Sequence, residues 1–246
     1  MRLTAIKGII DRRILVNFRV DPVVAGRLLP APFHPKLVAG WAIAGICLIR
    51  LKDIRPTRLA FVPGVGSENA AHRFAVQWEQ DGQTREGVFI SRRDSNSRIN
   101  ALLGGRLVPG EHHYAKFEVE ERADQLSVSL FSDDGQTRVR AAGRAMDRWP
   151  RDSVFASLDE ASRFFEGGSL GYSPTRHRTR FDGLELRCLN WSVRPMAMDV
   201  VESSLFDNHE IFPAGSAAFD CALLMRGVEH EWHSRGDLYS REPVKV

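Results

Sequence analysis

The sequence predicts a mainly β protein with a few short helices, closed or nearly closed into an antiparallel β-barrel around an internal cavity. Three observations carry this expectation. Apolar and polar side chains alternate with period two along most of the chain, the spacing of a half-buried strand. The pairs Asp81-Gly82 and Asp134-Gly135 fall between such runs and read as hairpin turns. Few stretches carry a helical pattern, so about ten strands must dispose of their edges, and closure removes edges altogether. A two-sheet sandwich is the second choice, but a barrel of this strand number has room for a guest molecule.

Each element has a local reason. In "RRILVNFRV", Ile14, Val16, Phe18 and Val20 point one way, and Arg13, Leu15, Asn17 and Arg19 the other. "DPVVAGRLLP" reads as a short helix: Asp21 caps it, Pro22 suits its first position, and Pro30 ends it by restricting Leu29. "VAGWAIAGICLIRL" is apolar on both faces, which predicts a strand buried on both sides. "DIRPTRLAFVPGVGSEN" is a long connection rich in Pro and Gly. Alternating runs follow at "AHRFAVQWEQ", "TREGVFIS", "HHYAKFEVEE", "QLSVSLFS" and "TRVRAAGRAMD". "SLDEASRFFEGG" is a helix with a Ser157/Glu160 capping box, an apolar stripe of Leu158, Ala161, Phe164 and Phe165, and a Gly-Gly stop. "LELRCLNWSVRP", "MDVVESSLF" and "SAAFDCALLMRG" are again strand-like. No repeat or linker divides residues 1–246, so a single domain is expected.

Composition narrows the function. The chain has 246 residues, 43% hydrophobic and 26% charged, with a net charge of +3, the mix of a globular protein. Its cations are 29 Arg against 5 Lys. Arginine suits carboxylate and phosphate partners, although a general preference for Arg on surfaces explains any single one. Basic residues are spread and interleaved with acids, which argues against nucleic acid. Cys47, Cys188 and Cys221 are odd in number and form neither a disulfide framework nor a metal-ligand spacing. "MRLTAIKGIIDRR" lacks a signal-peptide h-region, and no run approaches the roughly 18 apolar residues of a membrane span. A cytoplasmic protein without a membrane partner is expected, and a homo-oligomer is left open.

The densest polar chemistry is "GVFISRRDSNSRINALLGG" (87–105). A strand delivers Arg92, Arg93 and Asp94; a short helix follows, capped by Asp94 or Ser95, with Ile99, Leu102 and Leu103 on its apolar side and Gly104 at its end. The helix start and its guanidinium groups favour an anion, so Arg92, Arg93 and Arg98, with Asn96 and Asn100 as neutral donors, form a possible clamp. The alternative is a capped surface helix with an Asp94–Arg98 ion pair worth about 0.3–0.5 kcal/mol. Glu68 and Asn69 in "SENAAHRF" face a possible mouth, Glu68 as a base or acceptor, or else are plain strand-start polarity. Lys116 shares a strand face with His112, Tyr114 and Glu118. It is an amine only if that face turns inward, and the opposite set, Ala115, Phe117 and Val119, is the more natural interior. His230 and His233, with His112-His113, do not make the three or four convergent ligands that zinc needs. No nucleophile elbow, phosphate loop or cofactor motif occurs.

The order "NFRVDP…LLPAPF…AGWAIAGICLI", "REGVFISRRDSNSRINALLGGRL" and the late "ALLMRGVEHEW" resembles the acetoacetate-decarboxylase-like superfamily, most of all its uncharacterised YqjF-like branch. The resemblance implies a cone-shaped antiparallel β-barrel with the strand-end helix near the mouth of a cavity. In acetoacetate decarboxylase that helix region carries two adjacent lysines, one of which forms a Schiff base. The matching positions here are Asn100 and Ala101, and no lysine lies between Lys52 and Lys116. The enzyme's strand carboxylate has no match in "WAIAGICLI". The expectation is therefore a barrel that binds a small organic anion through Arg92, Arg93, Arg98, Asn100 and Asn69, without the lysine mechanism and without cofactor or metal. The alternatives are lyase-type chemistry through Lys116 or an arginine-stabilised enolate, and a scaffold whose cavity side chains fill.

Overall fold

The alternation of the first run becomes β1 (Ala5–Val20), which places Ile14, Val16, Phe18 and Val20 in one apolar cluster and Ile10 and Leu15 in another. The computed structural model describes residues 5–57, 61, 63–98, 110–177 and 179–240. After α1 (Pro22–Leu28) come the short β2 (His34–Pro35) and β3 (Leu37–Val38), then three long strands: β4 (Trp41–Pro56), β5 (Val65–Gln80) and β6 (Gln83–Ser95). Next are β7 (His113–Arg122), β8 (Gln125–Ser132), β9 (Arg138–Ala145), α2 (Leu158–Gly167), β10 (Leu170–Pro174), β11 (Arg180–Cys188), β12 (Arg194–Ser203) and β13 (Ala217–Tyr239).

Local chemistry sets the helix ends and turns. The Asp21 carboxylate accepts from the amides of Val23 and Val24 at 2.8 and 3.1 Å, and extended Leu29 stops α1 before Pro30. Ser157 Oγ accepts from the Glu160 amide at 3.2 Å, while the Glu160 carboxylate takes the amide of Ala156, one residue earlier than a strict capping box. Asp81 and Gly82 both have positive φ, 53° and 71°, the tight β5–β6 hairpin that the Asp-Gly pair predicts.

β13, β1, β4, β5 and β6 pair in that order, antiparallel, as a five-strand wall. At its outer strands the sheet forks. β10 and β11 connect β6 to β13 and complete a seven-strand ring. β7, β8, β9 and β12 connect the same two strands on the other side and complete a nine-strand ring. The junctions are short, two residue pairs at β6–β10 and β6–β7 and three at β12–β13, so closure is partial. A Cβ at Gly87 would lie 2.3 Å from the Leu170 carbonyl, so the approach of β10 to β6 requires glycine there.

Strand alternation gives the two sides of the wall different neighbours. Ala44, Ile46 and Leu48 of β4 cluster with Val128, Leu130, Val139 and Ala141 of the nine-strand side. Ile43, Cys47 and Ile49 cluster with Phe155 and Phe165 on the other. The two-sided burial expected of residues 38–51 is what β4 shows from Ala42 to Ile49.

Three sequence expectations change. The Pro/Gly connection is shorter than expected, because β4 runs to Pro56 and β5 starts at Val65. β10 carries no strand signal in the sequence: "LGYSP" has turn chemistry, and its parallel pairing with β6 is non-local. β13 continues twelve residues past Gly227, whose φ is +62°, through a polar stretch that pairs with β11. The helix expected beyond Arg98 lies outside the described residues.

Candidate ligand cavity

Register lays out a grid on one face of the wall. Cys221, Asn17, Gly45, Arg73 and Ile90 form one row across β13, β1, β4, β5 and β6. Leu223, Leu15, Cys47, Ala71 and Arg93 form the next, and Met225, Arg13, Ile49, Asn69 and Ser95 the third. Three arginines thus share one face, close around Cys47. A bulge decides which arginine β6 contributes. Arg73 pairs with Ile90 but His72 with Arg92, so Ser91 is an extra residue. Val88 and Ile90 face the same side as Arg93, not Arg92, because Ser91 reverses the phase.

This face meets a cavity of about 400 Å³ inside the seven-strand ring, the size of a small-molecule site. Arg13, Arg73 and Arg93 line it, together with Cys47, Asn69 and His112. Apolar walls come from Ile49, Leu51, Leu184, Leu186, Trp191 and Trp232. Phe165 of α2 covers one side and stands 5.0 Å from the Arg73 guanidinium.

The arginines are held at their bases. Arg73 is 4% exposed; one terminal nitrogen donates to Asn17 Oδ1 at 2.6 Å, and its Nε has no partner. Arg93 Nε donates to Ser173 Oγ at 3.0 Å. Arg13 Nε donates to Cys47 Sγ at 3.1 Å, and a terminal nitrogen approaches Met225 Sδ at 3.9 Å. Burial lowers the pKa of Arg93 to about 10 against Cys47 and Asp182. Burial also lowers Arg73 to about 10, with Arg13 assisting and Cys47 and Cys221 opposing. Both stay charged at neutral pH. His112, whose Nδ1 lies 3.2 Å from the Gly110 carbonyl, is brought down to about 3 by burial and then by Arg93, so its imidazole is neutral. Asp94 and Glu166 add carboxylates to the lining, but Asp94 is taken up by Arg92.

A fixed cluster of guanidinium groups facing a hollow of this kind invites comparison with known proteins. The sequence pattern of DUF2071, described as an uncharacterized conserved protein, matches residues 10–229. The chain belongs to the DUF2071 family. No curated protein sequence matches it. Solved structures similar to this DUF2071 chain include acetoacetate decarboxylase from Legionella pneumophila, 12% identical, covering 94% of this chain and 87% of that one at a TM-score of 0.60. The enduracididine biosynthesis enzyme MppR complexed with pyruvate is 14% identical, covering 96% and 89% at 0.57. An acetoacetate-decarboxylase-like enzyme from Sphingomonas wittichii is 14% identical, covering 98% and 94% at 0.52. At these identities the likeness is one of fold, and the fold is acetoacetate-decarboxylase-like.

Within this DUF2071 fold the residues singled out from sequence separate. Arg93 and Asn69 line the cavity. Arg92 does not; it makes hydrogen bonds at 2.9 Å to Asp94 and to Asp134. The Asp94–Arg98 pair gives way to this one, and exposed Arg98 stands 5.1 Å from the Tyr114 ring. Asn100 lies outside the described residues. Asn96 is exposed and accepts from the Glu68 amide at 2.9 Å. Glu68 and Asn69 sit within β5, on opposite faces: Asn69 turns to the cavity, whereas Glu68 is gripped by Arg12 at 2.5 Å and Arg50 at 2.6 Å. That grip leaves Glu68 no place as a cavity base. Lys116 is exposed, with buried Ala115 beside it, and lies outside the cavity lining. His230 is buried against Trp232, His233 pairs with Glu231 at 2.8 Å, and no three metal-ligating groups converge among the described residues. No helix is long and apolar enough to cross a membrane among the described residues. Sequence reasoning missed Arg13 and Cys47 as site residues and left the strand face of Arg73 open between water and a wet cavity. The signal was available: a strand apolar on both faces forces both faces of its neighbours inward, polar residues included.

Proposed function

We propose that this protein, taken as a YqjF-like branch of the acetoacetate-decarboxylase-like superfamily, binds a small organic acid in the hollow of its seven-strand ring. The observation that carries this reading is the meeting of Arg13, Arg73 and Arg93 on one face of the wall, against a cavity of about 400 Å³ with apolar walls. A guanidinium fork matches a carboxylate, and burial strengthens the pairing. The lining suits a carboxylate or 2-oxo acid with an apolar body; the structural neighbour MppR is complexed with pyruvate, an acid of the smallest kind. The lysine route of decarboxylation is not part of the proposal, since no lysine is among the described lining residues. Any lyase-type chemistry here runs through an enolate that the same arginines stabilise.

Calorimetric titration with a panel of carboxylates and 2-oxo acids tests this. At least one acid is expected to bind. Arg93→Met should weaken it on the order of ten- to a hundredfold, the loss of one charge-assisted partner. Absence of binding by every acid, or equal affinity in Arg93→Met and Arg73→Met, overturns the reading.

A further inference from the structure

Cys47 is the one reactive group that anion binding leaves without a role at the centre of the grid. It lines the cavity, accepts a hydrogen bond from Arg13 Nε at 3.1 Å, and shares a row with Arg93 across Ala71. Two further observations point to a ligand at this spot. Arg73, 4% exposed and lining the same cavity, has neutral Asn17 as its hydrogen-bond partner and no carboxylate against its charge among the described residues. Arg13 has only the sulfurs of Cys47 and Met225 as hydrogen-bond acceptors among the described residues, soft and weak partners for a guanidinium. A carboxylate accepting hydrogen bonds from the terminal nitrogens of Arg13 would hold its neighbouring carbon beside Cys47 Sγ.

We propose that Cys47 is a nucleophilic site for electrophilic organic acids, 2-oxo acids foremost, whose reactive carbon adjoins the carboxylate. This rests on the anion-binding reading above. In the step, the Sγ–C2 bond forms as the carbonyl π bond breaks. The electron pair moves to the carbonyl oxygen, and the thiol proton ends there. The product is a hemithioketal; nothing is oxidised, no group leaves, and the reverse step restores acid and thiol. The arginines serve twice, anchoring the carboxylate and stabilising the oxyanion as it forms.

Alkylation rates followed by peptide mass mapping test the site. Iodoacetate carries its carboxylate on the reacting carbon; iodoacetamide is its neutral counterpart, and ordinary thiols react with it at least as fast. Cys47 is expected to react about tenfold or more faster with iodoacetate, the gain in local concentration that a positive cleft gives. Arg13→Met should return that ratio to the ordinary order. Cys188 lines the same cavity without an arginine hydrogen bond among the described residues, and it is the internal comparison. With pyruvate labelled at C2 with carbon-13, the wild type should show a sulfur-bound tetrahedral carbon that Cys47→Ser lacks. Iodoacetamide matching iodoacetate at Cys47, or Cys188 reacting first, overturns the proposal. So does pyruvate that binds calorimetrically to wild type and Cys47→Ser alike without the tetrahedral carbon, and that result leaves acid binding standing. Failure of every acid to bind brings down the parent reading instead.

Discussion

The two rings share one wall and fill themselves in opposite ways. On the nine-strand side, Ile14, Val16, Ile46 and Leu48 meet Val128, Leu130, Val139 and Ala141 in one apolar cluster. One end of that side is tied by an ionic lattice, in which fully buried Arg12 holds Glu68 and Glu121 at 2.5 Å and Arg50 and Arg226 join them. On the seven-strand side, small residues at Gly45 and Ala71 stand among three arginines, and about 400 Å³ stays open. Every charge in the lattice has a partner of opposite sign, while the arginines of the hollow have mostly neutral ones. The first arrangement stabilises; the second holds capacity in reserve for a negative guest.

That contrast is open to attack by substitution. The largest loss belongs to Arg12→Met, which removes the fully buried cation of the lattice and leaves Glu68 and Glu121 to the partly exposed Arg50 and Arg226. About 3–5 kcal/mol of unfolding free energy should disappear, read from urea midpoints. Arg73→Met in the hollow should hold or gain stability, because it removes a buried charge that has no opposing partner. Next is Leu130→Ala in the filled ring, with a loss of about 2–5 kcal/mol, against a clearly smaller one for Ile49→Ala, whose side chain already borders a void. Equal losses at 130 and 49 would erase the distinction.

The pH dependence ranks third. His72 lies on the filled face of β5, 2% exposed with neither ring nitrogen paired, and burial and then Arg92 depress its pKa to about 4. The unfolded chain binds that proton more readily, so the stability is complete above pH 6.5 and drains as pH falls towards 4. The share of His72 is about 1–2 kcal/mol between pH 7.5 and 5, and His72→Leu should reduce the loss by that amount, with His112 and His230, both also depressed, supplying the rest. His112, on the hollow side, should respond differently: a bound carboxylate raises its pKa, visible by NMR, and leaves His72 unmoved. The smallest effect is that of Lys116→Ala, expected within about 0.5 kcal/mol of wild type and without effect on acid binding.

Much of the architecture was legible because it follows from local rules. The caps of α1 and α2, the Asp81-Gly82 turn and the two-sided burial of β4 can all be read from a handful of adjacent residues. The partition into two rings cannot, since it depends on which strands meet at the forks, and β10 pairs with a strand more than eighty positions earlier. The site suffered from the same limit. Clustering by sequence gathered Arg92, Arg93 and Arg98, but only Arg93 reaches the hollow; its companions there, Arg13 and Arg73, arrive by register from distant strands.

The extra residue at Ser91 has a consequence for how such a protein can change. It assigns each downstream side chain of β6 to a compartment by counting, whatever that side chain is made of. Drawing it into a regular ladder would send Arg92 to the guest chamber and Arg93 towards the oil, with no arginine altered, whereas deleting Ser91 would leave both where they stand. A lineage can thus retune its binding chamber by straightening or re-siting one bulge, a route that comparison of aligned residue types would overlook.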